Sequence, residues 1–298
     1  MTLMAKTKPN RPGGKTGTTT TDDFLGGRLK IVQPKSGHRA GSDAVFLAAA
    51  VAAKQGDTVL DAGAGVGVAG LCLLARVPKA DVTAVEVDAR LCALAAENAA
   101  RNGFAERFTA VEADITASAK VLRDVGLVRE GYDHVMANPP FYAEGSVRVA
   151  PSAQRANAHV MPQGQLGRWV RFLTAMAAPS GTLTLIHRAD CLAALLDLLQ
   201  DRFGDVAVFP LFSKAHDPAT RVIVQGRKGS RAGLRLLPGL LQHGSEGAYT
   251  EEAEAVLRHR GALHLTAPQK GRGRHPGGMG GSPDSPEREE SSRARKVR

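Results

Sequence analysis

Four polar residues, Asp61, Glu86, Asp114 and Asn138, each close a short apolar run, and they follow one another at intervals of 25, 28 and 24 residues. Each interval has room for one strand and one helix. The runs themselves predict strands at Thr58–Leu60, Val82–Val85, Phe108–Val111 and His134–Ala137, with helices between them at Val68–Arg76, Ala89–Arg101 and Ile115–Val125. Alternation of this kind calls for parallel strands joined by right-handed helical crossovers. In such a sheet all four polar residues line up along one carboxyl edge, which is where open α/β sheets bind ligands. The spacing therefore predicts both a fold, an α/β protein with a mostly parallel sheet, and the place of its site.

The pattern continues with a helix near Gln165–Ala178, a strand at Thr182–Ile186, a helix at Asp190–Asp201 and strands at Asp205–Leu211 and Arg221–Gln225, the last two forming a hairpin-like edge. Outside it the composition changes. Residues 1–22 and 266–298 are rich in Gly, Pro, Ser, Thr and basic residues and have no apolar periodicity, so both read as disordered tails around a folded domain at 23–265. Of a net charge of +10, the tails carry +7. Within the domain, residues 145–189 and 218–245 contain no acid, and their Arg155, Arg221, Arg227, Lys228 and Arg231 are candidates for a phosphate-binding surface or, equally, for a solvated basic face. The 3 cysteines form no CxxC pair, and no histidine pair has metal-ligand spacing, so no metal is expected. Neither a secretory signal nor an apolar stretch of the roughly 20 residues that span a bilayer is seen, which points to a cytoplasmic protein with no membrane partner.

Each edge residue has its own chemistry. Asp61 leads Asp61-Ala62-Gly63-Ala64-Gly65-Val66-Gly67, where Gly63 and Gly65 allow a sharp turn and a close approach by a ligand. Val68 stands where a dinucleotide fingerprint needs its third glycine, so no pyrophosphate cradle is implied. Glu86, about 20 residues beyond such a loop, is placed to accept a pair of ribose hydroxyls, with Asp88 as competitor. Asp114 is either a ligand or the N-cap of the next helix. Asn138-Pro139-Pro140-Phe141 is the most specific motif: two prolines fix an open loop, and an amide oxygen beside a backbone carbonyl offers two acceptors to one amino nitrogen. Phe141 adds a surface on which a base stacks.

An Asp-led GxGxG loop is similar to motif I of the class I methyltransferases. With NPPF and the segment from Leu29 to Val45 it resembles the bacterial tRNA adenine-N6 methyltransferases that modify the adenosine 3′ of the anticodon in a valine tRNA, over about residues 23–261. The resemblance implies a Rossmann-like, seven-stranded, mostly parallel sheet with helices on both faces, S-adenosyl-L-methionine as cofactor and tRNA or another structured RNA as partner. It also implies that Gly41 and Asp43 border the methionine end of the cofactor, and that Asp114 meets its adenine amino group. One residue departs from the pattern. Adenine-N6 enzymes usually have Tyr at Phe141, NPPF occurs in guanine-N2 methyltransferases of ribosomal RNA, and NPPY also occurs in an enzyme that methylates a glutamine of release factors. Ribosomal RNA, a protein glutamine and a non-catalytic nucleic-acid-binding role therefore stand as alternatives to tRNA adenine.

Overall fold

A computed structural model describes residues 18–37, 39–140 and 163–265, all within one compact unit. The chain opens with a hairpin of β1 (Thr19–Phe24) and β2 (Leu29–Pro34), with Thr19 opposite Pro34 and Phe24 opposite Leu29. This moves the start of ordered chain ahead of the 1–22 boundary expected from composition. Three β-branched threonines suit an extended chain, Asp22 accepts hydrogen bonds from Gln33 and Arg39, and only alternate residues of β1 are exposed.

The core follows in the expected alternation: α1 (Ser42–Ala50), β3 (Thr58–Ala62), α2 (Val68–Arg76), β4 (Asp81–Glu86), α3 (Ala89–Arg101), β5 (Phe108–Glu112), α4 (Ala119–Asp124) and β6 (Tyr132–Ala137). After the undescribed residues 141–162 come α5 (Gln163–Met176), β7 (Ala177–Arg188), α6 (Leu192–Leu199), β8 (Phe203–Phe212), β9 (Arg221–Lys228), two short strands β10 (Arg235–Leu236) and β11 (Leu240–Leu241), and α7 (Glu251–His259). The main sheet runs β10-β8-β9-β7-β6-β3-β4-β5, with β11 also on β8. Strands β3 to β7 are mutually parallel, and β9 runs against both β7 and β8. The seven long strands β3–β9 make the expected sheet, to which β10 and β11 add two-residue extensions.

Alternate residues of each buried strand feed two separate cores. Val59, Val82, Ala84 and Met136 pack under α1, α2, α3 and α7, while Leu60, Val85, Val135 and Leu185 pack under α4, α5 and α6. Among the described residues no helix is long and apolar enough to cross a membrane.

Helix α4 is shorter than the predicted 115–125 span. Asp114 does not cap it: its Oδ1 accepts both the N–H and the hydroxyl of Thr116, at 2.7 and 2.8 Å, and this local turn displaces the helix start to Ser118, which caps Val121 N–H. The predicted helix 190–201 likewise narrows to α6 behind a single 3-10 turn. Helix α7, unforeseen, has ordinary signals: Thr250 caps Ala253 N–H, three acids occupy the first turn, and Arg258 and His259 close the last.

The outer edge of β2 meets no strand. Two asparagines one turn apart, Asn98 on α3 and Asn102 at its C-cap, take its place: Asn102 accepts from Lys30 N–H and donates to Lys30 C=O at 2.9 and 3.0 Å, and Asn98 does the same for Val32 at 2.8 and 3.0 Å. Each side-chain amide acts as a peptide unit in a ladder. Asn98 is fully buried and also donates to Val66 C=O in the glycine loop at 3.0 Å. Asn98→Ala leaves three buried backbone groups unpaired and should cost about 3 kcal/mol, lowering Tm in thermal denaturation by roughly 6–12 °C for a domain of this size. A Tm unchanged by the substitution would show that the ladder is dispensable.

Candidate active site

A cleft of about 370 Å³ opens at the carboxyl edge of the sheet. Three segments wall it: the hairpin with its following turn (Gln33, Gly41, Asp43), the glycine loop (Asp61, Gly63, Gly65) and the end of β6 (Asn138), with Arg221 of β9 closing one side.

The glycine loop leaves β3 through backbone angles that side chains resist: φ is +64° at Gly63 and +57° at Gly65. Gly63 also lies under the ring of Trp169, the sole tryptophan of the chain, which a Cβ would overlap. Gly65 has the opposite surroundings. A Cβ there would meet nothing within 4 Å and would project into the open cleft.

Asp61 is nearly inaccessible, and its Oδ2 accepts from Gly70 N–H on α2 at 3.1 Å. Burial pushes its carboxyl up to about 7, with Gly70 N–H opposing the shift and the nearby charge of Glu86 adding to it. Glu86 does not line the cleft itself. Its Oε2 accepts from Gly65 N–H at 2.8 Å and its Oε1 from Val87 and Asp88 N–H at 2.9 and 3.0 Å, so it underpins the loop. Asp88 caps α3 through Arg90 and Leu91 N–H. Asp114 is exposed, outside the cleft lining, and held below the usual carboxylate range chiefly by its bonds from Thr116.

Asn138 faces the cleft with a buried Oδ1 that accepts no hydrogen bond from any described residue. Such an acceptor is costly to leave unpaired. Pro139 is buried and Pro140 exposed; Phe141 lies outside the described residues.

The basic candidates do not gather here. Because β9 runs backwards, Arg221 pairs with Arg188 at the carboxyl edge while Arg227 pairs with Thr182, about 20 Å away at the rise of an extended strand. Arg227 donates to Ser180 C=O. Lys228 is largely buried, ion-paired to Glu130 at 2.9 Å and bonded to Thr174 and Ala177 C=O. Arg231 follows at the same amino edge, and Arg155 lies outside the described residues. Arg221 is at the site, but its Nε donates to Asp43 Oδ2 at 2.9 Å, so it joins β9 to the start of α1. Arg39 lines the cleft and is held by Asp22, Thr20 and Pro34 C=O. Sequence reasoning missed Gln33, a buried cleft residue that accepts from Ala40 N–H and donates to Asp22. An uncharged polar residue closing the apolar run Ile31-Val32 was its signal. Trp169 carried none. Among the described residues no three His, Cys, Asp or Glu side chains are grouped to hold a metal.

The chain is similar to known proteins. Residues 36–170 match the methyltransferase small domain family. A predicted O-methyltransferase from Agrobacterium tumefaciens superposes with a TM-score of 0.64 at 29% identity, covering 74% of this chain and 98% of that one. The fold is that of the class I methyltransferases, and the chain is an S-adenosylmethionine-dependent methyltransferase. In sequence it is similar to proteins named tRNA1(Val) (adenine(37)-N6)-methyltransferase. The one from Porphyromonas gingivalis is 29% identical over 244 residues, 78% of this chain and 92% of the relative. That from Dickeya chrysanthemi is 26% identical over 254 residues, 83% of this chain and 95% of the relative.

The buried acid of the glycine loop has a consequence for stability. Between about pH 4 and pH 7 folded Asp61 keeps a proton that the unfolded chain releases, so this residue makes stability fall as pH rises through that window. Denaturant titrations from about pH 4.5 to 7.5 should show Asp61→Asn gaining on the wild type with rising pH. A gap that stays constant would mean that Asp61 ionises as an ordinary carboxyl.

Proposed function

We propose that this methyltransferase acts on an exocyclic amino nitrogen, N6 of an adenosine in the anticodon loop of a tRNA. The observation that carries the reading is the buried, unpartnered Oδ1 of Asn138 in the cleft. A group that needs a hydrogen-bond donor at that point, and takes it from the substrate, suits an amino group with two N–H bonds. Asn138 Oδ1 accepts one and the carbonyl of Pro139 the other. The nitrogen lone pair, otherwise drawn into the ring, is then turned out of the ring plane toward the methyl donor, and the pair of acceptors holds the nitrogen in line for transfer. Pro140 keeps the loop from folding over the site, and Phe141 is assigned to stacking on the base.

The cleft suits S-adenosylmethionine, which when bound supplies a methyl group already activated on a sulfonium sulfur. Gly65 keeps its floor clear of side chains, and Gly63 shapes the turn beneath it. The wall of Gly41 and Asp43, with Asp61 below, is assigned to the amino-acid end. Glu86 is assigned to the ribose. It already accepts three N–H bonds of the roughly four a carboxylate takes, so both hydroxyls are accommodated only if the bond to Gly65 N–H is shared or released. Asp114, with only its Oδ1 engaged by Thr116, is assigned to the adenine amino group.

The relatives' names support tRNA as substrate, and an unpaired loop base costs less to extrude than a duplex one. The test is transfer from labelled S-adenosylmethionine to unmodified tRNA transcripts, ribosomal RNA and release factor, followed by nucleoside mass spectrometry. N6-methyladenosine in tRNA is the expected product. N2-methylguanosine in ribosomal RNA, or label on a protein glutamine, would overturn the substrate assignment.

A further inference from the structure

A second cleft, of about 460 Å³, lies between α4 and α5 on the opposite face of the sheet from α2 and α3. Its floor is apolar, with Leu122, Phe172 and Met176 buried beneath it, and its rim carries Arg129, Arg168 and Arg171. Many arginines of the domain are tied into the fold. Arg76, Arg107, Arg221 and Arg235 are each committed to a carbonyl or a carboxylate, whereas Arg129, Arg168 and Arg171 are exposed and make no hydrogen bond or ion pair with any described residue. Asp114 and Glu130, which feel the charges of Arg168 and Arg129, take their hydrogen bonds from Thr116 and Lys228.

The cleft also has a direction. It begins beside Ile115 at the carboxyl edge, where Asn138 lies, and follows α5 toward the amino edge, where Arg129 stands near Ala175 and Met176. Arg168 and Arg171 are three residues apart and share a helix face. From Arg168 to Ala175 the helix advances about 10 Å, the rise of about three stacked nucleotides. Guanidinium forks match phosphate oxygens better than ammonium groups do, and an apolar floor accepts the sugar and base faces between them.

We infer that this α4–α5 groove binds the sugar-phosphate backbone of the substrate RNA as it leaves the catalytic edge. The inference rests on the reading of the substrate as RNA and locates the phosphate surface that the β9 arginines do not provide. Arg168→Gln/Arg171→Gln removes two charges, breaks no hydrogen bond or ion pair with a described residue and leaves Asp114 held by Thr116, so the fold is retained, which circular dichroism checks. With unmodified tRNA, the Kd should rise at least about 10-fold and the slope of log K against log salt should shrink by about two, one per lost phosphate contact. Affinity for S-adenosylmethionine should stay within about twofold. Arg231→Gln, a charge change at the amino edge of β9, should leave tRNA binding within about twofold, so that general basicity is separated from a defined groove. An unchanged Kd in the double variant, or an equal loss in Arg231→Gln, overturns the groove while leaving the substrate reading intact. Wild-type protein that neither binds nor methylates tRNA overturns both.

Discussion

The side-chain amide of Asn98 is the point at which the cleft is held together. From the middle of α3 it takes both backbone groups of Val32 and the carbonyl of Val66, so a single residue sets the hairpin wall against the glycine loop. Arg221 of β9, which closes one side, is tied in by charge to Asp43 at the head of α1. Neither contact belongs to the sheet, yet they join the hairpin and β9 to the elements around the glycine loop, to which no described strand pairing connects the hairpin. Buried groups left unpaired cost more than the bonds themselves contribute, which makes this junction rigid where a cofactor needs a preformed pocket.

The carboxyl edge concentrates polar groups that the rest of the fold avoids. Asp61 is buried far enough that its carboxyl is pushed up to about 7, Glu86 gathers three backbone N–H groups, and Asn138 keeps an oxygen without a partner among the described residues. Parallel strands covered on both faces tolerate such residues only at their ends, where the backbone is already leaving the ladder. These are the positions at which local stability is given up for ligand chemistry.

Much of this was legible in the residues. Helices α2 and α3 start and stop where their patterns predict, because Gly67 and Asp88 mark their starts and apolar spacing fills them. All the predicted strands but β7 run one to three residues longer than their apolar cores, since flanking polar residues such as Asp61 and Glu86 stay in the ladder, and β7 extends from Thr182–Ile186 to Ala177–Arg188. What escaped was set by tertiary partners. Strand β1 is too polar to announce itself and exists through β2 and the Asp22–Arg39 pair. Helix α4 lost its first turn to the side chain of Asp114. For the basic residues the reason is topological: Arg221 and Lys228 open and close one strand, β9, whose length sets them at opposite edges of the sheet. Only the three-dimensional arrangement separates Lys228, an internal anchor, from Arg168 and Arg171, which face a cleft.

The proposed chemistry depends on one atom, Asn138 Oδ1, and a single-turnover experiment on Asn138→Ala isolates it. If that oxygen orients the amino nitrogen in the transition state, methyl transfer to tRNA should slow by at least about 10²-fold while the Kd for S-adenosylmethionine stays within about twofold. A transfer rate close to wild type in that variant would contradict the account, because the buried acceptor would then have no part in the chemistry.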